Sequence, residues 1–269
     1  MEYTPQQELS MQQAWASYQC QKLFNRHAAL CSAGMRQEEF DTLWSTREDI
    51  CIGQNDGFWV GRESVHRAYV GAYEKALKKS QDEVLQATGT TQPLKAGCMI
   101  LHAVSTPLIE VAEDLKTAKG MFYSPGYVTT IEANGTPYAR WVMQRYAVDF
   151  IYEDSWKIWH LFIGVDYVCD VGDRPYQHSP VPAYNKPLPL LEGIGFGAEF
   201  IPPYDIEVPA LYTSALGWCG YPPEPEAYAS FSDTFSYGYE PFLNSGHYAC
   251  AEAFQTTSEA RFNINNEVV

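Results

Sequence analysis

The chain has no C-x-x-C pair and no apolar run approaching the ~18 residues of a membrane span. Basic residues are few, 18 Lys and Arg against 33 Asp and Glu, for a formal charge of −15. Each absence removes a class of function. The deficit of basic charge makes a nucleic-acid backbone or an anionic membrane surface a poor partner. The opening "MEYTPQQELSMQQAWASYQ" has neither the basic start nor the apolar core of a secretory signal, so a cytoplasmic location is expected. The seven cysteines (Cys20, Cys31, Cys51, Cys98, Cys169, Cys219, Cys250) are odd in number and scattered. They form neither a disulfide framework nor a zinc knuckle and read as buried, reduced thiols. Catalytic signatures are missing as well: there is no G-x-S-x-G elbow, phosphate-binding loop, H-E-x-x-H or dinucleotide fingerprint. The glycine run from Gly193 to Gly197 follows a proline-rich stretch and opens no helix, so it is a loop.

What is present is apolar and aromatic: 46% of the 269 residues are hydrophobic and 14% aromatic, which gives a folded core rather than a disordered chain. From Pro5 to about Ser45, Leu9, Ala16, Leu23, Phe24 and Leu30 recur at helix-face spacing, with a break at "CSAGM" and a short helix over "QEEFDTLW". "REDICIGQNDGFWVG" follows as a hairpin turned at "QNDG". A third helix then carries Val65, Ala68, Tyr69, Ala72, Tyr73 and Ala76 on one stripe. After a polar linker, four strand-like runs cover 98–112, 115–131, 136–153 and 155–168. Around Gly172 the character changes. From Pro187 to Ala260 there is no Lys or Arg, against ten Asp and Glu and nine prolines, so helix and central strand are largely forbidden. The aromatic content of this stretch argues for extended chain wrapped over a folded surface.

This order of elements resembles the SnoaL-like branch of the nuclear transport factor 2-like superfamily over roughly Gln7 to Asp170. The likeness rests on "GRESVHRAYV" after the hairpin, on "LHAVSTPLIEVAEDLKTAKG" with its leading histidine and acidic turn, and on "YAVDFIYEDSWKIWHL" with its tyrosine strand and tryptophan-led final strand. The resemblance implies an α+β fold: a cone-shaped barrel in which a curved, mostly antiparallel sheet is wrapped by N-terminal helices around one apolar pocket. The expected division is a barrel domain at 1–172 and an acidic, Pro/Tyr-rich extension at 173–269 that covers the barrel or a neighbouring subunit. A dimer or trimer is implied, because members of the superfamily are commonly homo-oligomers.

Three histidines and one tyrosine are the catalytic candidates. His102 stands where dehydratases of this type place a histidine that acts as general base or acid, work an imidazole does because its pKa lies near operating pH. In the last strand, period-two alternation puts Trp156, Ile158, His160, Phe162 and Asp166 on one face, and the resemblance aims that face into the cone. His27 takes the place of the tyrosine the family often carries on its first helix. The aspartate expected about five residues later is missing; Cys31 or Ser32 falls there. Tyr146 matches the tyrosine strand and shares a face with Gln144, Val148 and Phe150, where its hydroxyl could donate to a developing oxyanion. Trp141, Tyr123, Arg140, Phe162 and Ile158 are the candidates for holding substrate. Plain structural roles compete with each assignment: a core histidine bonded to a neighbour, a tyrosine tied to an acceptor. His66 on the third helix reads as a surface residue.

The resulting expectation is a lyase that needs no cofactor and no metal. One or two imidazoles move a proton while a C–O or C–C bond breaks in a hydroxylated, apolar, aromatic small molecule. Dehydration stands first; retro-aldol cleavage, such as formaldehyde release from an aryl-propanediol, stands second. A non-catalytic binding or interaction module and a ketosteroid-type isomerase or cyclase are the alternatives, since fold does not choose among them.

Overall fold

The computed structural model describes residues 2–55, 57–90, 99–131, 137–172, 200–207 and 222–240. The glycine run at 193–197 and most of the proline-rich extension lie outside the described residues.

Helix α1 (Pro5–Ser32) starts where its sequence dictates. Thr4 caps the first turn, with its hydroxyl accepting from the Gln7 N–H and the Gln7 side chain accepting from the Thr4 N–H, while Pro5 occupies the first helical position. Ala16, Cys20, Phe24, His27 and Cys31 form its buried stripe. Helix α2 (Arg36–Leu43) follows after Gly34, whose φ of 67° turns the chain in a conformation that favours glycine. Strands β1 (Cys51–Gln54) and β2 (Gly57–Val60) make the expected hairpin. Gly61, at φ 85°, then leads into α3 (Arg62–Val65).

The third helix differs from a regular periodic stripe. His66–Gly71 is a π-helical turn between α3 and α4 (Ala72–Thr88). Such turns are frequent at functional sites, and here the turn carries Tyr69, whose hydroxyl reaches a buried carboxylate on α2.

Strands β3 (Met99–His102), β4 (Ser105–Val111), β5 (Thr117–Ile131), β6 (Pro137–Tyr152) and β7 (Trp156–Asp170) follow. The sheet runs β3-β5-β6-β7-β1-β2-β8, with β8 being Ile206–Glu207 and β4 pairing with β5 beside β3. All pairings are antiparallel except β1 with β7. The sheet is curved and unclosed, and α1 lies across its concave face. Phe24 is the keystone: fully buried, it stacks on Phe122 at 4.5 Å and meets Tyr146 edge-on at 5.2 Å. Its burial is worth about 2–3 kcal/mol in apolar area alone. The α+β cone expected of the resemblance is therefore present.

Two described pieces beyond residue 172 lie on this frame. Residues 200–207 follow β2: Trp59 Nε1 donates to the carbonyls of Pro202 and Pro203, and the Asp205 carboxylate accepts from the Val60 N–H and the Ser64 hydroxyl. Residues 222–240 cover the face of the sheet opposite α1, burying Tyr237 completely.

Candidate active site

Between α1, the π turn, α4 and the concave face of the sheet lies a cavity of about 90 Å³. This is small beside the ~300–1,000 Å³ of clefts that take drug-sized ligands and suits a small molecule. Its apolar wall comes from Ile52, Trp59, Ile100, Ile163 and Ile201. Its polar groups are His27, Arg36, Gln54, Tyr69, His102, Gln144 and Tyr146. Ile201 makes one wall part of the C-terminal extension.

His27 is positioned by a carboxylate that does not come from its own helix. Glu39 of α2 is fully buried, and its Oε1 lies 2.7 Å from His27 Nδ1 and accepts from Trp44 Nε1 at 3.1 Å. Its Oε2 accepts from the Tyr69 hydroxyl at 2.8 Å. Burial alone would raise the Glu39 pKa, but the His27 charge and the hydrogen bonds from His27, Tyr69 and Trp44 outweigh it and hold the group below the usual carboxylate range. An ionised Glu39 can only accept, so the His27 Nδ1 carries a proton toward it, and Nε2 is the other nitrogen of the ring. Nε2 has no hydrogen-bond partner among the described residues. Where the resemblance implies an aspartate on α1, the carboxylate beside His27 comes instead from Glu39 of α2. A sequence signal for it existed: Glu39 shares the buried stripe of α2 with Phe40 and Leu43, a carboxylate where an apolar residue belongs.

Tyr146 lines the same cavity from β6, as alternation with Gln144 required. Its hydroxyl accepts from Gln144 Nε2 at 2.5 Å, so its own proton can serve another acceptor. Burial raises its pKa, so the phenol keeps that proton. His102, at the end of β3, also lines the cavity, with Nδ1 unpartnered among the described residues. Burial first, then the nearby charges of Arg36 and His27, push its pKa down to about 3, so it is neutral at ordinary pH. The ring sits against Gly126 on the paired strand, where an added Cβ would fall against Nδ1. Arg36, in the first turn of α2, lies over the rings of Tyr69 and Tyr73 at 4.5 and 4.2 Å and gives Nη1 to the Tyr69 carbonyl at 3.0 Å.

His160 is not part of this cavity, which corrects the face assigned by alternation. Asp149 pairs with His160 but Phe150 pairs with Ile158, so Trp159 has no opposite number. This β-bulge inserts one residue and reverses every side chain beyond it. Ile158 and Leu161 face the helices, while His160 and Phe162 turn to the other side. There His160 Nδ1 lies 2.9 Å from Asp149, whose carboxylate also accepts from Lys119 Nζ at 2.6 Å, the Ser236 hydroxyl at 3.2 Å and the Tyr237 N–H at 2.8 Å. The Lys119 ammonium faces the rings of Phe231, Phe235 and Tyr237 at 4.5–4.9 Å. His160 is a fastening point for the extension.

The remaining candidates also fall outside the cavity. Phe162 packs near Phe58 on the outer face, and Ile158 is core beside Trp44, its carbonyl accepting from the Ser45 N–H. Trp141 is half exposed against Tyr127. Arg140 pairs with Asp170 at 3.1 Å, and Tyr123 sits opposite Arg145 on the outer face. In the last strand a second irregularity, between Met143 and Gln144 of β6, sets Asp166 near Arg145 at 3.6 Å. His66 meets Gln37 at 2.7 Å near the surface. Among the described residues no group of three or more His, Cys, Asp or Glu could hold a metal ion, and no helix is long and apolar enough to cross a membrane.

No protein-family profile and no curated protein matches the chain. Several solved structures share part of its backbone course. A Kribbella flavida protein, Kfla4162, is 12% identical over 58% of this chain and 94% of its own, with a TM-score of 0.44. A nuclear transport factor 2 (NTF2-like) superfamily protein from Salmonella enterica is 12% identical over 56% and 90%, with a TM-score of 0.39. A candidate dehydratase of the NTF2-like family from Streptomyces avermitilis is 13% identical over 55% and 94%, with a TM-score of 0.40. Likeness of this degree concerns the course of the backbone and carries nothing about the chemistry in the cavity.

Proposed function

We propose that the protein is a cofactor-independent lyase whose base is His27, acting on a small hydroxylated molecule. The observation that carries this reading is the arrangement of His27: Nδ1 held by a buried, ionised Glu39, and Nε2 unpartnered on a residue that lines the cavity. A base becomes a cation when it takes a proton, and a carboxylate 2.7 Å away offsets that charge. His102 lacks such support, and its burial opposes the cationic form.

Dehydration fits these groups. Nε2 removes a proton from carbon, the C–H electrons form the new C=C bond, and the C–O bond breaks. The imidazolium returns the same proton to the departing hydroxyl, so water leaves and the enzyme is unchanged. Tyr146 serves as a hydrogen-bond donor to oxygen rather than as a proton source, because burial makes its phenol hard to ionise. Retro-aldol cleavage uses the same base on a hydroxyl proton. The cavity volume favours a single ring or a short chain over a polycycle.

The test is a panel of small β-hydroxy carbonyl compounds, followed by NMR for water loss and for deuterium uptake at carbon. His27→Gln and Glu39→Gln should each lower the rate at least ~10²-fold while circular dichroism stays unchanged. Wild-type rates in both variants would overturn the assignment of the base. Binding without turnover or exchange anywhere in the panel would favour a carrier.

A further inference from the structure

Arg36 is the largest charge in the cavity that the proposed chemistry does not use. Its guanidinium has five N–H donors. One is given to the Tyr69 carbonyl, and the Nε N–H, shut off from solvent, meets no acceptor among the described residues. Its central carbon lies 4.5 Å from the Tyr69 ring and 4.2 Å from the Tyr73 ring, contacts that hold the group in place while its N–H donors remain the part able to bond.

No carboxylate among the described residues lies within ion-pairing distance of Arg36. Glu39, one turn along the same helix, cannot supply one, because both its oxygens are engaged by His27, Trp44 and Tyr69. The side chain as a whole is partly buried, with Cys31 beside it and the Glu39 charge acting on it, but its buried Nε donor without an acceptor costs about 1–3 kcal/mol. Such a group persists when something the resting protein does not contain completes it.

We infer that Arg36 is an anion-binding residue, and that the molecule occupying the cavity carries a carboxylate which its guanidinium edge grips in bidentate fashion. A fork-shaped donor matches a planar, two-oxygen acceptor, so a carboxylate fits where an alcohol or amide would leave one donor unanswered. The inference rests on the proposed lyase reading for the identity of the site, and together they name the substrate class: a small hydroxy acid with an apolar remainder. The carboxylate anchors the molecule on α2, the apolar part meets the isoleucines and Trp59, and His27 acts on the carbon chain.

Calorimetric titration and thermal-shift measurements on the full chain, with benzoate and butanoate against benzamide and butanamide, test this. The acids should bind at least tenfold more tightly than the amides of the same shape, a difference of about 1.4 kcal/mol. Arg36→Gln should abolish that preference, and Arg36→Lys should retain part of it, which separates loss of charge from loss of fold. His27→Gln should still prefer the acids. Equal binding of acids and amides by wild-type protein, or a preference unchanged in Arg36→Gln, would overturn the inference while leaving His27 as the base. Acid binding without turnover of any hydroxy acid would instead remove the lyase reading and leave the anion site standing.

Discussion

Replacing Lys119 by methionine should destabilise the protein by about 3 kcal/mol, the low end of the ~3–5 kcal/mol lost when one member of a buried ion pair is removed. Lys119 and Asp149 are both fully buried, on neighbouring strands, with Nζ and Oδ1 2.6 Å apart. Methionine keeps an unbranched stem of similar reach and a sulfur that packs well on aromatic rings, so the contacts with Phe231, Phe235 and Tyr237 largely survive. The Asp149 carboxylate loses its ammonium but keeps bonds from His160, Ser236 and the Tyr237 N–H. Those remaining donors place the estimate at the low end. Urea unfolding at neutral pH, followed by circular dichroism, reads the loss directly. In a thermal scan it should appear as a fall of roughly 6–12 °C, at ~2–4 °C per kcal/mol for a domain of this size. The part-exposed Arg140–Asp170 pair is the control: Arg140→Met should stay within ~1 kcal/mol. If Lys119→Met unfolds at the wild-type urea concentration, the buried pair contributes nothing net and the argument for the fastening of the extension fails.

Two further outcomes follow from the site. Gly126→Ala should disturb His102, because the new methyl group would fall against Nδ1; a changed His102 NMR signal with an unchanged fold is expected, and an unaltered signal would refute the packing. Acid should weaken the fold through His102. Its pKa is about 3 when folded against an ordinary 6.5, so unfolding takes up a proton between those values. Its contribution is complete above pH 6.5 and is lost progressively down to pH 3, on the order of 5 kcal/mol in all. The steepness of stability against pH between 6 and 4 should therefore drop in His102→Leu, measured by urea midpoints; an identical slope would show that the imidazole is not buried neutral.

Much of this protein was determined by its sequence alone. Thr4, Pro5 and Gln7 start the first helix, the asparagine and glycine around position 56 turn the hairpin, and the apolar runs make strands, because each signal acts over a few residues. The order helices, hairpin, helix, meander, with three local motifs, carried the resemblance that implied the α+β cone. Local periodicity also put Tyr146 on the Gln144 face and Tyr69 on the stripe of the third helix, while His27 was singled out by the resemblance.

Only the tertiary structure decided where each histidine lies and what it touches. His160 reads inward by alternation, but one extra residue at Trp159 turns it outward, and a bulge is set by the pairing of two strands rather than by the residues of one. His27 looked incomplete because its carboxylate was sought on its own helix. Glu39 reaches it from α2, and Tyr69 joins them from a π turn that the sequence pattern does not distinguish from ordinary helix. Arg36 carried no local mark at all. Its meaning lies in what does not surround it, and that is a property of the packed cavity, where desolvation turns a missing partner into a physical constraint.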